Sequence, residues 1–164
     1  MVFVDKTLEE MTQEVGCARL AFSKSLTPKD NPDLFKSRHC GYKKYFNAQD
    51  TLIVSLLNEM ELGEHSEYVV GSVISLAIEN SLTRGHLGDL FLPLTFNVLV
   101  GSEGSILRIR DYGLGFNHVE HLELRTRGKR CYDGNGEGIK YFNSASPEIA
   151  YEGSGNIMNI MVKK

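Results

Sequence analysis

Apolar residues recur along this chain with two different periods, and the change of period divides it. In "LEEMTQEVGCARLAFSKSL" they fall at Leu8, Met11, Val15, Ala18 and Phe22, steps of three and four that predict an amphipathic helix. Turn formers crowd the following "TPKDNPDLFKSRHC", which separates this helix from the rest. A short strand is expected around "YKKYF". The helical period returns in "AQDTLIVSLLNEMEL", with Leu52, Leu56 and Met60 on one stripe and Gly63 as the stop. Ser66 is the expected N-cap of a longer helix, "SEYVVGSVISLAIENSLTR", closed by Gly85.

Beyond Gly85 the period drops to two. In "LPLTFNVLVG", Leu94, Phe96, Val98 and Val100 share one face, and Thr95 and Asn97 the other. "GSEG" turns this strand into "SILRIRD", a β-hairpin signature. A polar stretch and the glycine cluster "DGNGEG" lead to a short helical segment around "IKYFNS". A second hairpin, "EIAYEGSGNIMNIMVKK", closes the chain, with Met158, Ile160 and Val162 on one face of its last strand. Helices followed by antiparallel hairpins predict an α+β fold with helices packed on one face of a sheet.

Composition narrows the classes. The chain has 164 residues, 41% hydrophobic and 24% charged, which suits one globular domain. A formal charge of −3 gives no electrostatic footprint for nucleic acid or an anionic membrane, so neither is expected as a partner. No apolar run approaches the roughly 20 residues of a membrane span, and "MVFVDKTLEE" lacks the regions of a signal peptide. Cys17, Cys40 and Cys131 stand far apart, which suits a reducing cytoplasm better than a disulfide framework. His118 and His121 in "NHVEHLE" are one helical turn apart, either a metal pair or part of a solvated loop.

Two polar residues interrupt the apolar pattern. Strand alternation puts Asp111 on the same face as Leu107 and Ile109, so a carboxylate is aimed at the core. On the long helix, Val69, Val73, Leu76 and Ala77 define a stripe in which Asn80 is expected to lie. Both groups need hydrogen-bond partners, and a shared polar pocket would supply them. Gly113 and Gly115 follow Asp111 and let the backbone approach a ligand closely. Gly134, Gly136 and Gly138 stand where a helix is expected to begin, a phosphate-binding arrangement. The spacing in "GNGEGIK" does not fit a dinucleotide fingerprint, and too little chain follows for a βαβ unit.

In this order the segments resemble the GHKL superfamily of ATPases, which includes type II topoisomerases, histidine kinases, mismatch-repair ATPases and anti-sigma-factor serine kinases. "LAIENSLTRG" is similar to that family's asparagine-bearing helix, "DYGLGF" to its first glycine box and "GNGEGIKYF" to its second. "GSGNIMNIMVKK" resembles the terminal strand of the small anti-sigma kinases. The resemblance runs from about residue 41 to the C-terminus. It implies a GHKL (Bergerat) ATP-binding fold over 35–164, a two-layer α/β sandwich with a mixed, mostly antiparallel sheet. Residues 1–34 then form an N-terminal amphipathic helix and linker. It further implies ATP and Mg²⁺ as ligands. Asp111 would accept the adenine amino group, and Asn80 would hold the Mg²⁺ that bridges the phosphates. Gly113 and Gly115 would border the nucleotide, Gly134, Gly136 and Gly138 would cradle its phosphates, and Asn156 would stand near the adenine. Residues 116–133 would form a lid, with Arg125, Arg127, Lys129 and Arg130 as phosphate partners or as solvated loop charges.

The chain departs from the anti-sigma kinases at the position four before the asparagine. Their general-base glutamate is Leu76 here, and Glu79, next to Asn80, projects about 100° away around the helix. Two readings of function follow. One is a cytoplasmic ATP-binding regulator that transfers the γ-phosphate to a serine or threonine of a regulatory protein partner: an anti-sigma antagonist, a sigma-like factor or a response regulator. The other is a non-catalytic module whose nucleotide gates partner binding. The stripe of the N-terminal helix either makes a homodimer or covers the domain's own sheet.

Overall fold

The computed structural model describes residues 2–40, 43–62, 64–115, 117 and 147–164. Along the chain come β1 (Val2–Phe3), α1 (Leu8–Glu14), β2 (Arg19–Leu26), β3 (Phe35–Cys40), β4 (Lys43–Ala48), α2 (Asp50–Glu59) and α3 (Glu64–Asn80). A π-helical turn, Ser81–Gly85, extends α3 and leads to β5 (Leu94–Val100), β6 (Gly104–Arg110), β7 (Glu148–Glu152) and β8 (Ile157–Lys163). Among the described residues, six strands form one sheet in the order β1-β7-β8-β6-β5-β2, and β3 and β4 form a separate hairpin. Only β1 runs parallel to its neighbour, β7; the other sheet pairs are antiparallel. The fold is α+β, with α2 and α3 layered on the sheet. No helix among the described residues is long and apolar enough to cross a membrane.

Alternation builds the sheet side of the core. Leu94, Phe96, Val98 and Val100 of β5 are buried, as are Leu107 and Ile109 of β6 and Ile160 and Val162 of β8. Facing them, α2 contributes Leu52 and Leu56, and α3 contributes Val70, Val73, Ile74, Ala77 and Ile78. Both expected hairpins form, and so do the two central helices, α2 and α3, the latter starting two residues ahead of Ser66.

The N-terminal segment differs from expectation. The helix expected over Leu8–Phe22 stops at Glu14, and Gly16 and Cys17 follow with φ of 83° and 55°. From Arg19 the chain is β2, hydrogen-bonded to β5 as the outermost strand of the sheet. Residues four apart, such as Phe22 and Leu26, share a face in either structure, so the spacing alone did not separate helix from strand. Similarly, 35–40 is strand β3 rather than turn, because it pairs with β4 along its whole length. Residues 28–30 and 32–34 do form turns.

The short helix α1 lies on the face of the sheet opposite α2 and α3, so the helices do not all share one face. Thr7 and Glu10 cap it reciprocally. Met11 and Val15 are fully buried with Ile106, Ala150 and Met161. Its apolar stripe thus covers the chain's own sheet, the second of the two alternatives. The segment around "IKYFNS" lies outside the described residues.

Because Met11 is wholly enclosed, Met11→Ala should lower the unfolding free energy by about 2–5 kcal/mol in a denaturant titration. A change within about 0.5 kcal/mol would mean that α1 is not docked in solution.

Candidate functional site

Asp111 continues the inward parity of β6 and is 7% exposed. Its main chain is tied to the β7–β8 turn. Its N–H donates to the Asn156 carbonyl at 3.0 Å, and its carbonyl accepts from Asn156 Nδ2 at 3.3 Å. The carboxylate accepts the Gly113 N–H at 2.9 Å, and the Ser81 side chain, close by, is the weakest of the groups that favour its charged form. Burial nevertheless pushes its pKa above the ordinary aspartate value, against the pull of the Gly113 N–H, the nearby His86 and Ser81.

The end of α3 supplies the other wall. There the helix widens: the His86 N–H reaches back five residues to the Ser81 carbonyl at 2.8 Å. Glycines then allow contact at main-chain distance. A Cβ on Gly85 would lie 2.8 Å from the Asp111 carboxylate atoms, and one on Gly113 would lie 1.8 Å from the Gly85 carbonyl oxygen. Gly115 has φ of 72° and would place a Cβ 2.1 Å from the Ser154 carbonyl oxygen. The segment 111–115 is therefore wedged between the helix end and the β7–β8 turn, and no larger residue fits at Gly113 without separating them.

His86 completes this wall and is 3% exposed. Its Nε2 accepts the Tyr112 N–H at 3.3 Å, so the neutral ring carries its proton on Nδ1. That Nδ1 and the buried hydroxyl of Thr83 have no hydrogen-bond partner among the described residues. Burial pushes the imidazole below its ordinary pKa, and the charges of Asp111 and Asp89 oppose this. A buried imidazole nitrogen without a partner among the described residues, beside a desolvated carboxylate, is a costly arrangement for a purely structural corner.

The expectation for Asn80 needs correction: its side chain is exposed rather than buried in a stripe. The buried face of α3 runs through Val70, Val73, Ile74, Ala77 and Ile78, and its centre lies about 100° from Asn80. Projected onward, that centre meets Ser81, which lies close to Asp111. Asn80 therefore sits on the flank, one residue from Ser81. Leu76 and Glu79 are half-buried on the same helix. Asn156 stands at the site through its bonds to the Asp111 main chain. Gly134, Gly136 and Gly138, the lid cations Arg125, Arg127, Lys129 and Arg130, and the pair His118 and His121 lie outside the described residues. Sequence reasoning missed Ser81, Thr83 and His86. The wheel carried one position further would have found Ser81, but nothing local marks His86.

Among the described residues no group of three or more His, Cys, Asp or Glu is placed to hold a metal ion. A single exposed amide such as Asn80 still fits Mg²⁺, which commonly takes few protein ligands and completes its shell with phosphate oxygens and water. A cavity of about 220 Å³ opens elsewhere, between β2 and α2, lined by residues such as Phe22, Lys24, Leu52 and Phe96. None of the candidate site residues lines it. No protein-family model matches the chain, and no curated protein matches it.

The raised pKa of Asp111 has a defined sign. Its folded value lies above its unfolded value, so its favourable contribution is complete below the unfolded pKa and is lost as pH rises through the folded one. At neutral pH the charged carboxylate lowers stability. Asp111→Asn keeps an acceptor for the Gly113 N–H and should raise the melting temperature of ligand-free protein at pH 7, with the gain vanishing toward pH 3.5. A lower melting temperature at pH 7 would show that the carboxylate is a structural anchor.

Proposed function

We propose that the chain is an ATP- and Mg²⁺-binding regulatory protein with a GHKL (Bergerat)-type site, acting on a protein partner in the cytoplasm. Asp111 carries this reading. It is a buried carboxylate with a raised pKa, anchored through its own main chain, with acceptor capacity beyond the Gly113 N–H. Such a group is suited to an uncharged amine donor, such as the exocyclic amine of adenine. Asn156 fixes the main chain that aims the carboxylate. Asn80, exposed at the helix end, would hold Mg²⁺ through its side-chain oxygen. The metal, when bound, would neutralise phosphate charge and orient the phosphates.

Phosphoryl transfer to a serine or threonine of the partner is the fuller form of this reading. A second form is favoured by Leu76, which cannot take a proton at the position of the family's general base. In that form the nucleotide governs partner binding without being consumed. Glu79 is the remaining acid on that turn of the helix and the only candidate base this reading offers.

Titration calorimetry with ATP and Mg²⁺ tests the binding claim. Asp111→Asn should weaken ATP by about tenfold or more, the value of a hydrogen bond to a charged acceptor. Asn80→Ala should remove the part of the affinity that depends on Mg²⁺ and leave the melting temperature of ligand-free protein unchanged. Equal ATP affinity in folded wild type and Asp111→Asn would overturn the assignment.

Turnover separates the two forms. General-base assistance contributes about 10²–10⁴-fold, so wild type should bind ATP while releasing γ-phosphate slowly or not at all. Release at about 1 s⁻¹ or faster, within the ordinary kinase range, would favour transfer and make Glu79→Gln the decisive variant.

A further inference from the structure

The peptide unit that follows Asp111 is pinned at both ends. Its carbonyl accepts from Asn156 Nδ2 at 3.3 Å, and its N–H, that of Tyr112, donates to His86 Nε2 at 3.3 Å. One residue earlier the Asp111 N–H is held by the Asn156 carbonyl, and one residue later Gly113 closes on both Asp111 and Gly85. Asn156, Gly85 and Gly113 do not titrate. The imidazole is the one member of the clamp that can lose its acceptor by gaining a proton. It is also held where a merely structural residue would be poorly placed, buried with Nδ1 lacking a partner among the described residues.

Resting on the nucleotide reading above, we propose that His86 is a positioning residue for Asp111 and a proton-operated latch on the segment Asp111–Gly115. Unprotonated at Nε2, it accepts the Tyr112 N–H and keeps the carboxylate aimed for a ligand amine. A proton on Nε2 abolishes that acceptor, so the peptide unit loses one of its two pins. The same proton turns the ring into a cation beside Asp111, where it competes with a ligand amine for the carboxylate. Both consequences weaken ligand binding.

The groups that act on the ring can be named. Asp111 on the sheet side and Asp89 on the following loop favour the proton, and burial opposes it. Strand β4 also packs against the π-helical turn. By linkage, a nucleotide that prefers the latched form must make His86 harder to protonate.

The test compares MgATP affinity of wild type, His86→Gln and His86→Phe between pH 7.5 and 5.5. The γ-phosphate titrates in this range too, but equally for all three proteins, so the difference between them isolates His86. A glutamine amide can accept the Tyr112 N–H and does not titrate. Relative to His86→Gln, wild type should lose affinity on acidification, by less than the roughly tenfold that an imidazole of ordinary pKa could give over this range, and the glutamine variant should match wild type at pH 7.5. His86→Phe, which has no acceptor for the Tyr112 N–H at any pH, should bind more weakly than His86→Gln at pH 7.5 and at least as weakly as wild type at pH 5.5. Parallel pH profiles for wild type and His86→Gln overturn the latch.

A second measurement needs neither variant nor nucleotide. In NMR spectra of ligand-free wild type, the Tyr112 amide should shift with the same midpoint as the His86 ring nitrogens. A Tyr112 amide indifferent to pH overturns the latch whether or not ATP binds. If wild type binds no MgATP at any pH, the nucleotide reading fails, and the Tyr112 titration alone then decides the latch.

Discussion

A carboxylate placed on the core face of a strand must find donors before water is excluded, and this chain draws them from segments far apart in sequence. The Gly113 N–H comes from the carboxylate's own loop, and the Ser81 side chain at the end of α3 lies close enough to favour its charge. The main chain of Asp111 is held by Asn156 on the β7–β8 turn. For these to meet, three elements must approach at main-chain distance, and Gly85, Gly113 and Gly115 make that approach sterically possible. The corner of the sandwich where β6, α3 and the β7–β8 turn converge is thus built around one charged group.

That corner contributes little to holding the fold. It contains a carboxylate with a raised pKa, an imidazole with a lowered one, and two buried polar atoms without partners among the described residues. Stability is concentrated elsewhere. The main core joins α2 and α3 to β5, β6 and β8, and a smaller one joins α1 to the opposite face. Around α1, Lys6 pairs with Glu14 and Glu148, and Glu14 also pairs with Lys163. These pairs are partly exposed, so each contributes little, but together they tie α1 and the strand termini in register. Such a division, a well-packed frame carrying a costly polar corner, is expected where the corner binds something.

The widened end of α3 links the two parts. A regular helix would carry Ser81 and His86 past each other around the axis, whereas the π-helical turn places the His86 N–H on the Ser81 carbonyl. One of these side chains then serves the Asp111 carboxylate and the other the next peptide unit. Helix geometry at five residues therefore sets both the charge environment and the aim of the acid. Asn80, just before the widening, is left on the exposed flank.

By itself the sequence determined whatever depends on periodicity within one element. Alternation identified both hairpins and the inward carboxylate, because a strand's faces are fixed by its own backbone. The apolar stripes located α2 and α3 for the same reason. Where two periods agree, local reading could not choose: Phe22 and Leu26, four apart, fit a helix or a strand, and pairing with β5 decided for β2. The position of Asn80 was off by one residue because the stripe was drawn from its edge. Ser81, the residue at the stripe's centre, is the α3-end side chain that acts on the Asp111 charge. His86 was invisible. Its burial, its tautomer and its bond to Tyr112 arise from the meeting of segments 26 residues apart, and no local pattern encodes which distant backbone will close on a side chain.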